Sequence, residues 1–155
     1  GVRPEDIEVL IHPESVVHSA VELVDGTVIA QLGVADMRLP IQYALTWPER
    51  RGSSCKRLEL TELAGLHFMK PQLENPPCLA LAMECARRGG NSAAVMNAAN
   101  EEAVHLFLKR RLGYNEIYDC VAEAVAGIGF IEEPGLEDII ESDGEARRFV
   151  KERYT

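Results

Sequence analysis

No cysteine pair in this chain has the C-x-x-C spacing of zinc and thiol-redox sites, and no G-x-G-x-x-G, P-loop or paired-carboxylate motif is present. The short-range signatures of a dinucleotide fold, a nucleoside triphosphatase and a structural zinc site are therefore missing. No apolar run approaches the roughly 20 residues that cross a bilayer, and the N-terminus lacks the charged-then-apolar layout of a signal peptide. Positive charge is also scarce. Sixteen Lys and Arg stand against 25 Asp and Glu, a net charge of -9, which argues against an electrostatic grip on nucleic acid or an anionic membrane. The chain reads as soluble, with neither nucleic acid nor membrane among its expected partners.

The four cysteines, Cys55, Cys78, Cys85 and Cys120, do not read as a disulfide framework. Cys78 and Cys85 fall seven positions apart in one expected helix, about 10 Å of rise, beyond the roughly 7 Å at which two Cα atoms can be bridged. Buried reduced thiols, and so a reducing compartment, are the expectation. At 155 residues with 46% hydrophobic content, the chain is globular in composition, enough for one ordinary domain or a small domain plus a piece of another.

The strongest pattern lies between Ile7 and Pro40. Ile7 to Ile11 is a short, nearly continuous apolar run that reads as a buried strand ended by His12-Pro13. A second strand runs from Ser15 or Val16 to Val24 and a third from Thr27 to Leu32. Between them Asp25-Gly26 reads as a two-residue type I′ turn, pairing Val24 with Thr27 and Leu23 with Val28. In that register Ser19, Val21 and Leu23 share an apolar face with Val28, Ala30 and Leu32. An isolated ribbon is marginal in water, so this face needs cover from helices, a second copy or further protein. Gly33 ends the last strand, and Val34 to Met37 forms a loop at its carboxyl end, a common place for functional residues. Pro40 fits the first turn of a short helix to Thr46, stopped by Pro48.

Arg50 to Lys56 has linker composition, and Pro71, Pro76 and Pro77 keep the segment around them extended or turned. From Cys78 the period becomes 3.6. Helices are expected from Cys78 to Arg88, through Val95 to Arg111 with a break near Asn97 and a cap at Asn100, over Tyr114 to Ala126, over Leu136 to Glu141, and from an Asp143 cap to Tyr154. The resulting fold class is α+β. A sheet-and-hairpin segment over residues 1–49 leads through a connector, 50–77, into a helical bundle, 78–155.

Few side chains invite chemistry. Ser15 and His18 have opposite parity, so a regular strand sends them to opposite faces, and no G-x-S-x-G elbow accompanies them. His12 and His18 lack the further ligands of a tetrahedral metal set, and His67 and His105 sit among apolar residues as packing histidines. Asp36, Met37 and Arg38 share the loop after the last strand, where Met37 reads equally as core filler. By residues alone the function stays open.

The segments IEVLIHPESVVHS, VDGTVIAQLGVADMRLPI, LELTELAGLHF, PCLALAMEC and MNAANEEAV, in this order, resemble the 1-deoxy-D-xylulose 5-phosphate reductoisomerase family. The resemblance spans nearly the whole chain but only the C-terminal part of that family: the end of its α/β catalytic domain, the connector and the C-terminal helical domain. It implies a full-length NADPH-dependent enzyme that rearranges and reduces 1-deoxy-D-xylulose 5-phosphate to 2-C-methyl-D-erythritol 4-phosphate, an early step of non-mevalonate isoprenoid synthesis. A divalent metal, Mg or Mn, and NADPH would be held by parts that precede this segment, so neither metal-binding nor cofactor-binding residues are expected here and the isolated chain is expected to be inactive. The resemblance further implies a homodimer, located in the bacterial cytoplasm or a plastid-type organelle. It places Ser15 and His18 on the active-site strand and Met37 in a loop lining the substrate and nicotinamide pocket, where Ala35 stands in place of the usual proline. The alternative reading is a non-catalytic module whose sheet dimerises and whose acidic bundle binds a partner.

Overall fold

A computed structural model describes residues 2–71 and 77–154; the turn expected around Pro76 lies partly outside them. The chain divides into two compact units. One is Val9–Pro71, and the other joins residues 2–8 to the described residues from 77 onward. A two-stranded sheet plus helices is the α+β arrangement that the periodicities imply.

In the first unit β1 (Val17–Glu22) and β2 (Val28–Leu32) form an antiparallel hairpin. Its turn has three residues, not the two expected. Gly26 N donates to Leu23 O at 2.9 Å and Leu23 N donates to Thr27 O at 2.8 Å, with Gly26 at φ +81°. The physical reason lies at Asp25. A type I′ turn would force both Asp25 and Gly26 to positive φ, costing a residue with a Cβ about 1–2 kcal/mol, whereas this turn asks it of Gly26 alone. Asp25 then spends its carboxylate on the Thr27 amide, 2.9 Å away.

The longer turn moves the register by one. Glu22 faces Val28 and Val21 faces Ile29, so Ser19, Val21 and Leu23 share their face with Ile29 and Gln31, and not with Val28 and Ala30. A second irregularity occurs nearer the base. Pairing jumps from Ser19↔Gln31 to Val17↔Leu32, a bulge in which His18 is the extra residue. Val21, Val28 and Ile29 are each about 60% exposed, so neither face is covered by the described residues.

Residues 7–11 do not form the expected strand. Ile7 N closes the 3-10 turn Pro4–Asp6, and only Ile11 pairs, in a single antiparallel bridge to Met69. Just beyond, Ser15 N donates to His12 O at 3.1 Å with Pro13 presetting the turn, and Ser15 adopts φ +50°. Glu14 fastens this turn to the 66–69 segment: its carboxylate accepts from His67 N at 3.1 Å and His67 Nδ1 at 2.6 Å. The His12 ring stacks on Phe68 at 4.6 Å, and its Nδ1 lies 2.8 Å from the His67 carbonyl. His67 is thus an exposed partner of a carboxylate and not a packing histidine; His105 is likewise exposed. α1 (Arg38–Thr46) follows the hairpin.

The second unit is built around α3 (Ser92–Leu108), which packs against α2 (Cys78–Arg88), α4 (Glu116–Gly127) and α5 (Leu136–Tyr154). Ala98, Ala99 and Ala103 let neighbouring backbones approach closely, and the buried core around them includes Leu106, Ile117, Cys120, Val121, Ala124, Ala146 and Val150. α2 ends where expected, at Gly89 and Gly90, both at positive φ; a Cβ on Gly90 would collide with the Ile131 carbonyl. Two expected breaks are absent. α3 runs straight through Asn97 and Asn100 because burial of Ala98, Ala99 and Ala103 outweighs the local preference of Asn for caps. α5 is continuous through Asp143, whose carboxylate binds Arg147 one turn on at 2.8 Å instead of capping a new helix.

Asn91 knots this unit together. Fully buried, it donates from Nδ2 to Gly129 O at 2.9 Å and to Ser142 Oγ at 3.0 Å, and its Oδ1 accepts from Ile131 N at 3.0 Å. Three segments therefore meet on one amide. The cysteines are free thiols; Cys55, Cys85 and Cys120 are buried, and burial pushes the Cys120 thiol up to about 11. No helix among the described residues is long and apolar enough to cross a membrane.

The Glu14 tether has a pH signature. Hydrogen bonds from the His67 side chain and amide lower its carboxyl from an ordinary 4.5 to about 2. A carboxyl whose folded pKa is depressed contributes stability above its unfolded value and loses it as pH falls toward the folded one. The tether should therefore hold near pH 5 and be released between about 4.5 and about 2. Carboxyl-detected NMR should place the Glu14 midpoint near 2, and Glu14→Gln should speed hydrogen exchange at the Ile11 and Met69 amides at pH 6. A Glu14 midpoint in the ordinary range, with unchanged exchange in the variant, would contradict this.

Candidate functional site

The loop between β2 and α1 is shaped by one ion pair. Asp36 accepts from Arg38 N and Nε at 3.0 Å each, and Arg38 Nη2 closes a fork on the second carboxylate oxygen. The Arg38 side chain holds the Asp36 carboxyl well below the usual carboxylate range. With Asp36 N also bonded to Val34 O at 2.8 Å, the loop has a defined shape, and Met37 stands out of it with 71% of its surface exposed.

Opposite the loop, the bulge in β1 presents His18. A regular ladder would pair His18 with a β2 residue, but here it is the unpaired one, free of the strand's alternation. Among the described residues its side chain has no hydrogen-bond partner, which leaves both ring nitrogens open to a ligand. His18 and Met37 line one cavity of about 500 Å³, together with Gln31, Tyr43, Arg50 and Ser53. That volume is in the range of small-molecule sites, roughly 300–1,000 Å³. Its outer wall is fixed by Gln42, which donates from Nε2 to the carbonyls of Arg51 at 3.0 Å and Gly52 at 3.2 Å.

Ser15 is placed differently. It is not part of the cavity lining, and it sits in the turn ahead of β1 with its backbone at φ +50°. A residue with a Cβ pays on the order of 1–3 kcal/mol for a sparsely populated conformation, and such residues cluster at ligand sites. Opposite faces for Ser15 and His18 are the rule for a regular strand, and neither residue lies in a regular stretch of one. The residues that composition concealed are Tyr43 and Arg50. Arg50 reads as linker, yet its guanidinium lies 3.4 Å over the centre of the Tyr43 ring and in the cavity wall. No spacing rule links the two, because the contact depends on where α1 ends and the chain turns back.

Among the described residues no group of three His, Cys, Asp or Glu is arranged to hold a metal ion. The donors of the described residues do not by themselves make a set that fits a resident metal.

Comparison with known proteins shows the family of the chain. The family model of the DXP reductoisomerase C-terminal domain matches residues 32–149. The chain is 52% identical over 149 residues to the 1-deoxy-D-xylulose 5-phosphate reductoisomerase of Heliobacterium modesticaldum, covering 96% of the chain and 38% of that protein. It is 52% identical over 147 residues to that of Pelotomaculum thermopropionicum, again over 38% of the relative. Among solved structures, the Zymomonas mobilis reductoisomerase in complex with NADPH superposes with a TM-score of 0.83 at 41% identity, over 95% of this chain and 39% of that one. A reductoisomerase in complex with NADPH, fosmidomycin and magnesium superposes at 0.86 and 38% identity, over 99% of this chain and 40% of the other. The chain thus spans about two fifths of the length of these relatives, and it belongs to the DXP reductoisomerase C-terminal domain family.

Proposed function

We propose that the chain is part of an NADPH-dependent reductoisomerase that converts 1-deoxy-D-xylulose 5-phosphate to 2-C-methyl-D-erythritol 4-phosphate, and that its first unit supplies one wall of the active site. The observation that carries this reading is the meeting of His18 and Met37, from a strand bulge and a separate loop, in one cavity of ligand size. The relatives' complexes with NADPH, magnesium and fosmidomycin name the ligands such a site would meet. NADPH, when bound, supplies the hydride that reduces the rearranged aldehyde.

The residues of this chain bind and orient. The open imidazole of His18 is a hydrogen-bond partner for the substrate, with one nitrogen donating and the other accepting. Met37 offers a polarizable apolar surface that excludes water from the reacting carbons. Ser15, held in its strained turn, carries a hydroxyl two residues ahead of the same strand. In the complete protein, His18→Gln should lower turnover by about 5- to 150-fold, the effect of leaving one buried partner unpaired in the transition state, with the metal-activation curve unmoved. A large shift in metal requirement would reject the orienting role, and unchanged kinetics would return His18 to structure.

The hairpin also bears on assembly. Val21 and Ile29 face one another on the same exposed side of an isolated ribbon, and a second copy of the protein is the cover this reading assigns. Sedimentation of the complete protein should give a dimer, and Ile29→Lys should shift it to monomer at micromolar concentration. A compact monomer whose Val21 and Leu23 amides are fully protected from exchange would show that cover comes from elsewhere.

A further inference from the structure

Ser15 is a one-residue joint between two anchored stretches of chain. On its N-terminal side, Ile11 exchanges backbone hydrogen bonds with Met69 at 2.8 and 2.9 Å, the His12 ring stacks on Phe68, and the Glu14 carboxylate grips His67. On its C-terminal side, the carbonyl of buried Val16 accepts from Gly33 N at 3.0 Å, and Val17 starts the sheet opposite Leu32. No further residue lies between the two anchors to absorb a mismatch. An L-residue keeps a left-handed backbone only where its surroundings over-determine it, and Ser15, at φ +50°, is so placed.

The N-terminal anchor is concentrated on Glu14. One carboxylate oxygen, Oε1, accepts from His67 Nδ1 at 2.6 Å; the other, Oε2, accepts from His67 N at 3.1 Å and lies 3.0 Å from His12 Nδ1. His12 Nδ1 also lies 2.8 Å from the His67 carbonyl, so it faces acceptors alone and carries the ring proton. The carboxylate next to Ser15 thus fixes both the ring before it and the backbone across from it. Ser15 itself is exposed, and its hydroxyl has no hydrogen-bond partner among the described residues. These contacts fix the backbone of Ser15 and leave its side chain open to a ligand.

We propose that Glu14, through its hold on His67, is a positioning residue that keeps Ser15 left-handed and so sets the Ser15 hydroxyl for the reaction. The assignment rests on the reading of the chain as part of a reductoisomerase with Ser15 at its active site. In this role Glu14 touches neither substrate nor cofactor, and its effect passes through the backbone of Ser15. The competing explanation is that the Glu14–His67 pair only fastens the 66–69 segment to the turn, with no consequence for Ser15.

The complete protein, Glu14→Ala, Ser15→Ala and the double variant form a cycle, read as kcat/KM for NADPH oxidation with the sugar phosphate, well below the melting transition of each. One hydrogen bond lost from the transition state costs about tenfold, so each single variant should fall by about that factor. In the Ser15→Ala background, removing Glu14 should change the rate by less than about twofold, because the hydroxyl it positions is already gone. Losses that multiply in the double variant overturn the proposal, as does either single variant within about twofold of the parent. Glu14→Gln keeps an acceptor for the His67 amide and should recover part of the loss. A crystal structure of the complete Glu14→Ala protein gives a readout independent of turnover: Ser15 should return to negative φ, and a Ser15 that stays left-handed overturns the proposal. Should the parent leave the sugar phosphate unchanged, the reductoisomerase reading fails, while the Ser15 backbone in the variant still decides whether Glu14 holds it.

Discussion

The left-handed conformation of Gly26 is the constraint on which the hairpin unit depends. Because only that residue of the Val24–Gly26 turn adopts positive φ, the turn closes over three residues, and the pairing of every later residue in the hairpin is set by that choice. Val21 comes to face Ile29, Ala20 to face Ala30, and the ladder reaches Gln31 opposite Ser19. The bulge then inserts His18 before Val17 meets Leu32, which returns Leu32 and Gly33 to the end of the sheet. One backbone angle at the tip and one extra residue near the base thus set where His18 stands relative to the loop that bears Met37.

What the hairpin positions, an ion pair and an amide then hold. The Asp36–Arg38 fork shapes the loop at one side of the cavity, and the Gln42 amide ties α1 to the chain returning through Arg51 and Gly52. Neither is a strong contribution to stability, since exposed ion pairs and exposed hydrogen bonds each contribute little. Their effect is on geometry: each removes an alternative arrangement of a loop with few apolar contacts. The helical unit is stabilised differently, by a core of small side chains on α3 and by the buried Asn91, which satisfies a turn and α5 with one side chain.

The elements that were legible from sequence are those whose signal is local and repeated. The 3.6-residue period located α2, α3 and α4 closely, and the glycines after Arg88 marked a true end because both take positive φ. Where a local preference competed with tertiary contacts, the contacts prevailed: burial of the neighbouring alanines carried α3 through Asn97 and Asn100, and the ion pair with Arg147 carried α5 through Asp143. The hairpin was visible, but its register was not, since Asp-Gly fits both a two-residue and a three-residue turn and the difference lies in the φ of Asp25. Of the site, His18 and Met37 were singled out through resemblance. Arg50 was not, because a cation stacked on Tyr43 leaves no spacing in the sequence to find.

The reading of the Val9–Pro71 unit as one wall of a reductoisomerase site is a proposal that turnover can decide. The most direct test follows NADPH oxidation with 1-deoxy-D-xylulose 5-phosphate and a divalent metal, by the complete protein and by residues 1–155 alone. Turnover by the complete protein and none by the isolated chain is the predicted result. Turnover by the isolated chain, or a complete protein that leaves the sugar phosphate unchanged, would contradict it.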